Sequence, residues 1–71
     1  MTIRDLNPGA TIHMLGEQIY IDDKQVRTVG VRVTTEFRIR RGKQTASLWT
    51  VAAQVQNWLD RAQCIDNPIL D

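Results

Sequence analysis

Five cations, Arg32, Arg38, Arg40, Arg41 and Lys43, fall within twelve residues of one another. The chemistry open to them is the recognition of anions. A guanidinium presents a planar fork of donors that matches a phosphate or a carboxylate, and an extended strand repeats its side chains on one face about every 6.5–7 Å, close to the spacing along a nucleic-acid backbone. Thr34 adds a hydrogen-bonding hydroxyl among them, and Glu36 is the one carboxylate in their midst. If four or five such cations displaced counterions from a duplex, affinity would fall with salt at a log–log slope of about −4. Net charge conceals this grouping. The whole chain carries +1, but Lys24 to Lys43 holds seven cations against Glu36, a net +6 that leaves −5 for the remainder.

Other chemistry is sparse. One histidine, His13, and one cysteine, Cys64, exclude a His/Cys zinc site or an internal disulfide within one chain. His13 reads as a strand residue facing solvent, and Cys64 as a structural or incidental thiol. Gly42-Lys43-Gln44-Thr45 echoes the end of a phosphate-binding loop but lacks the first glycine and the hydroxyl directly after the lysine. Asp22 and Asp23 are adjacent, which suits a polar turn better than an acid–base pair. No motif implies a metal or a cofactor, and the expectation is a protein that is not an enzyme.

The elements that must position these groups follow from periodicity. From Thr28 to Arg40 the chain alternates without a break, with Val29, Val31, Val33, Thr35, Phe37 and Ile39 on one side. Thr28, Arg32, Thr34, Glu36, Arg38 and Arg40 take the other. That is the pattern of a half-buried strand with an arginine-bearing outer face, continued by Arg41 and Lys43 in the following turn. Asn7-Pro8-Gly9 is a turn signal. Residues 11–15 and 18–22 read as a hairpin turning at Gly16-Glu17, and Asp22-Asp23-Lys24 as a second turn. Val26 is out of phase with Val29, so a bulge or break is expected near Arg27 or Gly30.

A helix is predicted over 45–64, capped by Thr45 or Ser47. At about 100° per residue, Leu48, Val51, Ala52, Val55, Leu59 and Ala62 form its apolar stripe with Trp58 at the margin. Trp49 falls about 100° away, beside Ala53, where a large aromatic stands ready to hold another subunit or protein. Only Tyr20 is placed as an outward aromatic on a strand, so no base-stacking platform for RNA is evident.

At 71 residues there is one small domain: lead-in and turn 1–9, antiparallel sheet 10–43, helix 45–64, and tail 65–71 with Ile69 and Leu70 free to dock or fray. Its modest core makes homodimerisation one way to gain stability. Apolar residues at 42% and charged residues at 24% match an ordinary folded domain. No apolar run approaches the roughly 20 residues that span a bilayer, and a cytoplasmic protein with no membrane association is expected.

The expected fold is α+β, a three- or four-stranded antiparallel meander with one C-terminal helix, or, second, a small curled β-barrel with the helix as lid. A basic strand-rich segment feeding a C-terminal helix resembles the small three-stranded DNA-binding domains of some integrases. The likeness covers element order and no motif, so no residue is carried over. The expected function is a nucleic-acid-binding accessory or regulatory protein using Arg32, Arg38, Arg40, Arg41 and Lys43. The alternative is a protein-interaction module or inhibitor of the kind carried by phages and mobile elements. It would hold an acidic protein surface with the same arginines, with Trp49 and Ala53 at the interface.

Overall fold

β-Branched and aromatic residues dominate the middle of the chain, and in the computed structural model, which describes residues 1–69, they form an open antiparallel sheet. A 3-10 turn at Ile3–Asp5 leads in. The strands are β1 (Thr11–Met14), β2 (Glu17–Val29), β3 (Arg32–Arg41), β4 (Leu48–Val51) and β5 (Cys64–Asp66), with helix α1 (Ala52–Arg61) between the last two. Their order across the sheet is β4-β3-β2-β1-β5. The α+β arrangement expected from the sequence holds; among the described residues the open sheet has five strands where three or four were expected, and it does not close into the alternative barrel. No helix among the described residues is long and apolar enough to cross a membrane.

Turn chemistry explains the chain reversals. At Asn7-Pro8-Gly9, Ala10 N donates to Asn7 O over 3.2 Å and Gly9 takes φ +92°, the third-position conformation that glycine supplies. At the far end Val29 faces Arg32 across a two-residue loop in which Gly30 has φ +61°, as a type II′ hairpin demands at its first central position. The alternation that reads as one strand from Thr28 to Arg40 is therefore two strands folded back at Gly30-Val31. Conversely, β2 runs straight through Asp22-Asp23-Lys24, where a turn was expected. A bulge lies there, between Ile21 and Asp23. The extra residue shifts the phase, so that Ile19 and Ile21 before it and Lys24 and Val26 after it share the helix side.

The core is Leu6, Ala10, Ile12, Ile19, Ile21, Phe37 and Ile39 beneath Val55, Trp58 and Leu59 of α1. Phe37 and Ile39 are inward as the alternation implies, and Trp58 is buried. Helix α1 is shorter than the predicted 45–64 because both ends of that segment join the sheet. Leu48-Trp49-Thr50-Val51 is rich in residues that suit a pleated surface and pairs with β3, while Cys64–Asp66 pairs with β1. Leu48 and Val51, assigned to the helical stripe, are instead exposed. Neither Thr45 nor Ser47 caps the helix, whose N-cap position is Val51 with no side-chain bond. The tail is tied down: Asn67 Oδ1 accepts from Asn7 N over 2.8 Å, Asn67 Nδ2 donates to Asp5 O over 2.7 Å, and Asn7 Nδ2 donates to Pro68 O over 2.7 Å. Ile69 is exposed, and Leu70 lies outside the described residues.

Candidate interaction surface

Residues directly opposite in an antiparallel ladder share a face. The face turned away from α1 therefore carries Arg32, Thr34, Glu36, Arg38 and Arg40 of β3, facing Val29, Arg27, Gln25, Asp23 and Tyr20 of β2, and Trp49 of β4 lies opposite Arg38. Arg41 belongs to the other face. It pairs with Ile19, its Nε and Nη2 bond the two carboxylate oxygens of Glu17 at 2.7 and 3.0 Å, and its guanidinium carbon lies 5.4 Å from the Trp58 ring centre. That fork holds the Glu17 carboxyl below its ordinary range.

The remaining cations are unequal. Arg40 Nε donates to Asp22 Oδ2 at 2.7 Å and the guanidinium stacks 5.1 Å from the Tyr20 ring. The Arg40 hydrogen bond is the main reason the Asp22 carboxyl sits below its usual range, with smaller help from the Ser47 hydroxyl and from the charges of Arg40 and Arg38, against partial burial. Arg27 pairs with Glu36 at 3.3 Å. Lys24 turns towards the helix side, where Nζ donates to the carbonyls of Ile3, Arg4 and Leu6 at 3.4, 3.2 and 3.2 Å. Among the described residues, Arg32, Arg38 and Lys43 have no carboxylate within reach, and Arg38 lies 6.0 Å over Trp49. The five-cation face read from the sequence is thus divided. Arg41 is on the opposite side, Arg40 is engaged by Asp22, and Arg32, Arg38 and Lys43 remain.

Trp49 and Ala53, expected together on one helix face, lie on different elements. Trp49 is a half-exposed strand residue beside Arg38, and Ala53 is in the first turn of α1.

Sequence reasoning did not foresee the most exposed part of the molecule. Beyond the reach of β1 and β4, Val26–Val29 and Arg32–Thr35 pair, among the described residues, only with each other, a two-stranded ribbon closed by Gly30-Val31. Its valines are bare: Val26, Val29 and Val33 are 62%, 65% and 64% exposed, and Val31 is fully exposed. At the foot of this arm an open cleft of about 590 Å³ is bordered by Ile3, Val33, Val51, Ala52 and Ala53. The signal available was Gly30 itself, between Val29 and Val31 in a run otherwise free of glycine from Glu17 to Arg41.

The other end of the same face brings His13 and Cys64 opposite each other on adjacent strands. Asp66 Oδ2 lies 2.8 Å from His13 Nε2, Gln18 Nε2 lies 3.3 Å from Nδ1, and Tyr20 OH donates to Gln18 Oε1 at 2.6 Å. Both imidazole nitrogens are therefore occupied by other partners, so the ring is not placed to take a proton from Cys64. No group of three metal-ligating side chains forms among the described residues. Comparison with protein-family models, curated proteins and solved structures finds no match to this chain.

Proposed function

We propose that this chain is a non-enzymatic protein-interaction domain whose docking element is the arm Val26–Thr35. One observation carries this reading: four valines stand exposed on a ribbon that no other part of the described chain covers. Burying one valine fully is worth about 1.5 kcal/mol or more, so a partner that covered several would gain substantial affinity from the arm alone. Clustered exposed apolar residues on a small domain mark association surfaces far more often than scattered ones do. Trp49 stacked with Arg38 adds an aromatic–guanidinium pair of the kind that enriches binding hot spots.

A second reading, nucleic-acid binding, rests on Arg32, Arg38 and Lys43, which form no ion pair among the described residues, and on the ribbon, a shape that a major groove admits. Pairing of Arg40 and Arg41 within the fold lowers the number of cations left for phosphates, which ranks it behind the first.

The two are separated by affinity capture from nuclease-treated lysate alongside duplex binding at about 50 and 200 mM salt. Protein docking predicts that Val31→Asp with Val33→Asp abolishes capture while Arg32→Glu with Arg38→Glu leaves it in place. Salt-sensitive duplex binding lost in the arginine variant, with no nuclease-resistant capture, would replace the first reading with the second.

A further inference from the structure

β4 covers only part of the edge of β3. It pairs with Glu36 through Ile39, and among the described residues Arg32 through Thr35 have no neighbouring strand on that side. Gly42 N donates to Gln18 O at 2.8 Å, which sets the phase of β3. Backbone groups alternate sides along a strand, so even-numbered residues turn their N–H and C=O towards β2, and odd-numbered residues turn theirs towards the β4 side. Val33 and Thr35 consequently offer free donors and acceptors at an exposed edge, a template for a further strand.

We propose that a second copy of this chain occupies that edge, the two arms pairing antiparallel about a two-fold axis at Val33. The proposal rests on the reading of the arm as a protein-docking element and names its partner. The register follows from three constraints. The pleat requires that residues of like parity face one another, so a two-fold axis must pass through a single residue position. Centring on Thr34 would drive Arg32 into the place opposite Glu36 that Val51 of the second copy already holds. Centring on Arg32 would set two guanidinium groups directly opposite, a repulsive pair. Centring on Val33 sets Val33 against Val33, hydrogen-bonded through outward backbone groups, and Arg32 against Thr34 on the other face.

In that arrangement the tip Val31 of each copy reaches the cleft beside Val51 and Ala52 of the other. One self-complementary surface therefore serves both copies, as a two-fold interface requires. The result is a continuous sheet across the axis in which Val26 and Val33 of both arms share the helix side.

Sedimentation of the full chain from about 1 µM to about 1 mM tests this, with Val33→Asp as the disrupting variant. A dimer that the variant weakens tenfold or more, with an unchanged circular-dichroism spectrum, is the expected result, since Val33 is 64% exposed in the single chain and tolerates a polar side chain there. Register is read separately in a Cys64→Ser background. Val33→Cys should form a disulfide-linked dimer on oxidation, because facing hydrogen-bonded positions lie about 5.5 Å apart at Cα. Val31→Cys should not, because each copy's position 31 faces Thr35 of the other.

A monomer throughout the range overturns the proposal, as does a dimer indifferent to Val33→Asp or a cross-link at position 31 and not 33. If the protein is monomeric but nuclease-resistant capture still depends on the arm valines, the second copy is wrong and the docking reading stands. If the arm valines affect neither association nor capture, the docking reading falls as well.

Discussion

The inner half of the β2–β3 hairpin and its outer half have the same alternation and opposite fates. Near the base, Ile21, Phe37 and Ile39 are sealed beneath Val55, Trp58 and Leu59; four to six residues further out along the same strands, Val26 and Val33 occupy equivalent positions on the pleat and are bare. The difference lies in what stands across from them. Helix α1 has only ten residues, about 15 Å of length, and among the described residues no second layer covers the arm beyond it. Alternation thus reports that a strand has two unlike faces, and a separate element decides whether either is covered.

Substitutions on the two halves should differ most sharply in stability. Phe37→Ala removes a fully buried ring and should cost about 3–5 kcal/mol in urea unfolding, enough to unfold much of a domain this size. Val33→Ala, measured at dilute concentration, should stay within about 0.5 kcal/mol. Equal losses would mean that the arm is packed and the comparison is wrong.

Lys24 stands at the boundary, and Lys24→Met should cost about 1–2 kcal/mol by leaving three carbonyls of the lead-in without their ammonium donor. A neutral result would place the 3-10 turn outside the cooperative unit. Acid sharpens the same contrast. Asp22 and Glu17, both near the base, have carboxyl groups held below their ordinary range in the fold, so their stabilisation is full above about pH 4–5 and drains away as pH falls through their lowered values. Thermal melts should decline on acidification in that window, and Asp22→Asn with Glu17→Gln should flatten the decline. Among the arginines, Arg32→Glu should be nearly silent in stability, within about 0.5 kcal/mol. Arg40→Glu should be visibly worse in the same melts, because it sets a second carboxylate against Asp22.

Much of this architecture was legible in the chain. The turn at Asn7-Pro8-Gly9, the β1–β2 hairpin, the inward Phe37 and Ile39, and an amphipathic helix bearing Val55, Trp58 and Leu59 all follow from local periodicity and turn chemistry. What was not legible depends on distant residues. Arg40 and Asp22 are eighteen positions apart and Arg41 and Glu17 twenty-four, so the loss of two cations from the basic set leaves no mark in the local pattern. Trp49 fits a helix by spacing, but β-prone neighbours and a partner strand outweigh that spacing. Asp22-Asp23-Lys24 has turn composition, and only the pairing of both flanks with one partner strand reveals it as a bulge.

The seam between β1 and β5 carries a kinetic consequence. The β1–β2 and β2–β3 hairpins each close through two-residue loops, whereas Thr11 must find Asp66 across most of the chain before three residue pairs can form. Loop-closure entropy makes that contact slow to arrive, and its few bonds make it quick to leave. The Asn7–Asn67 clasp and the bond from Gln63 N to His13 O sit on the same seam, so the lead-in and the segment at Asn67 depend on a contact that should form late in folding. Spontaneous opening should begin there, releasing the lead-in and β5 together and baring the β1 edge while the paired β2 and β3 stay closed.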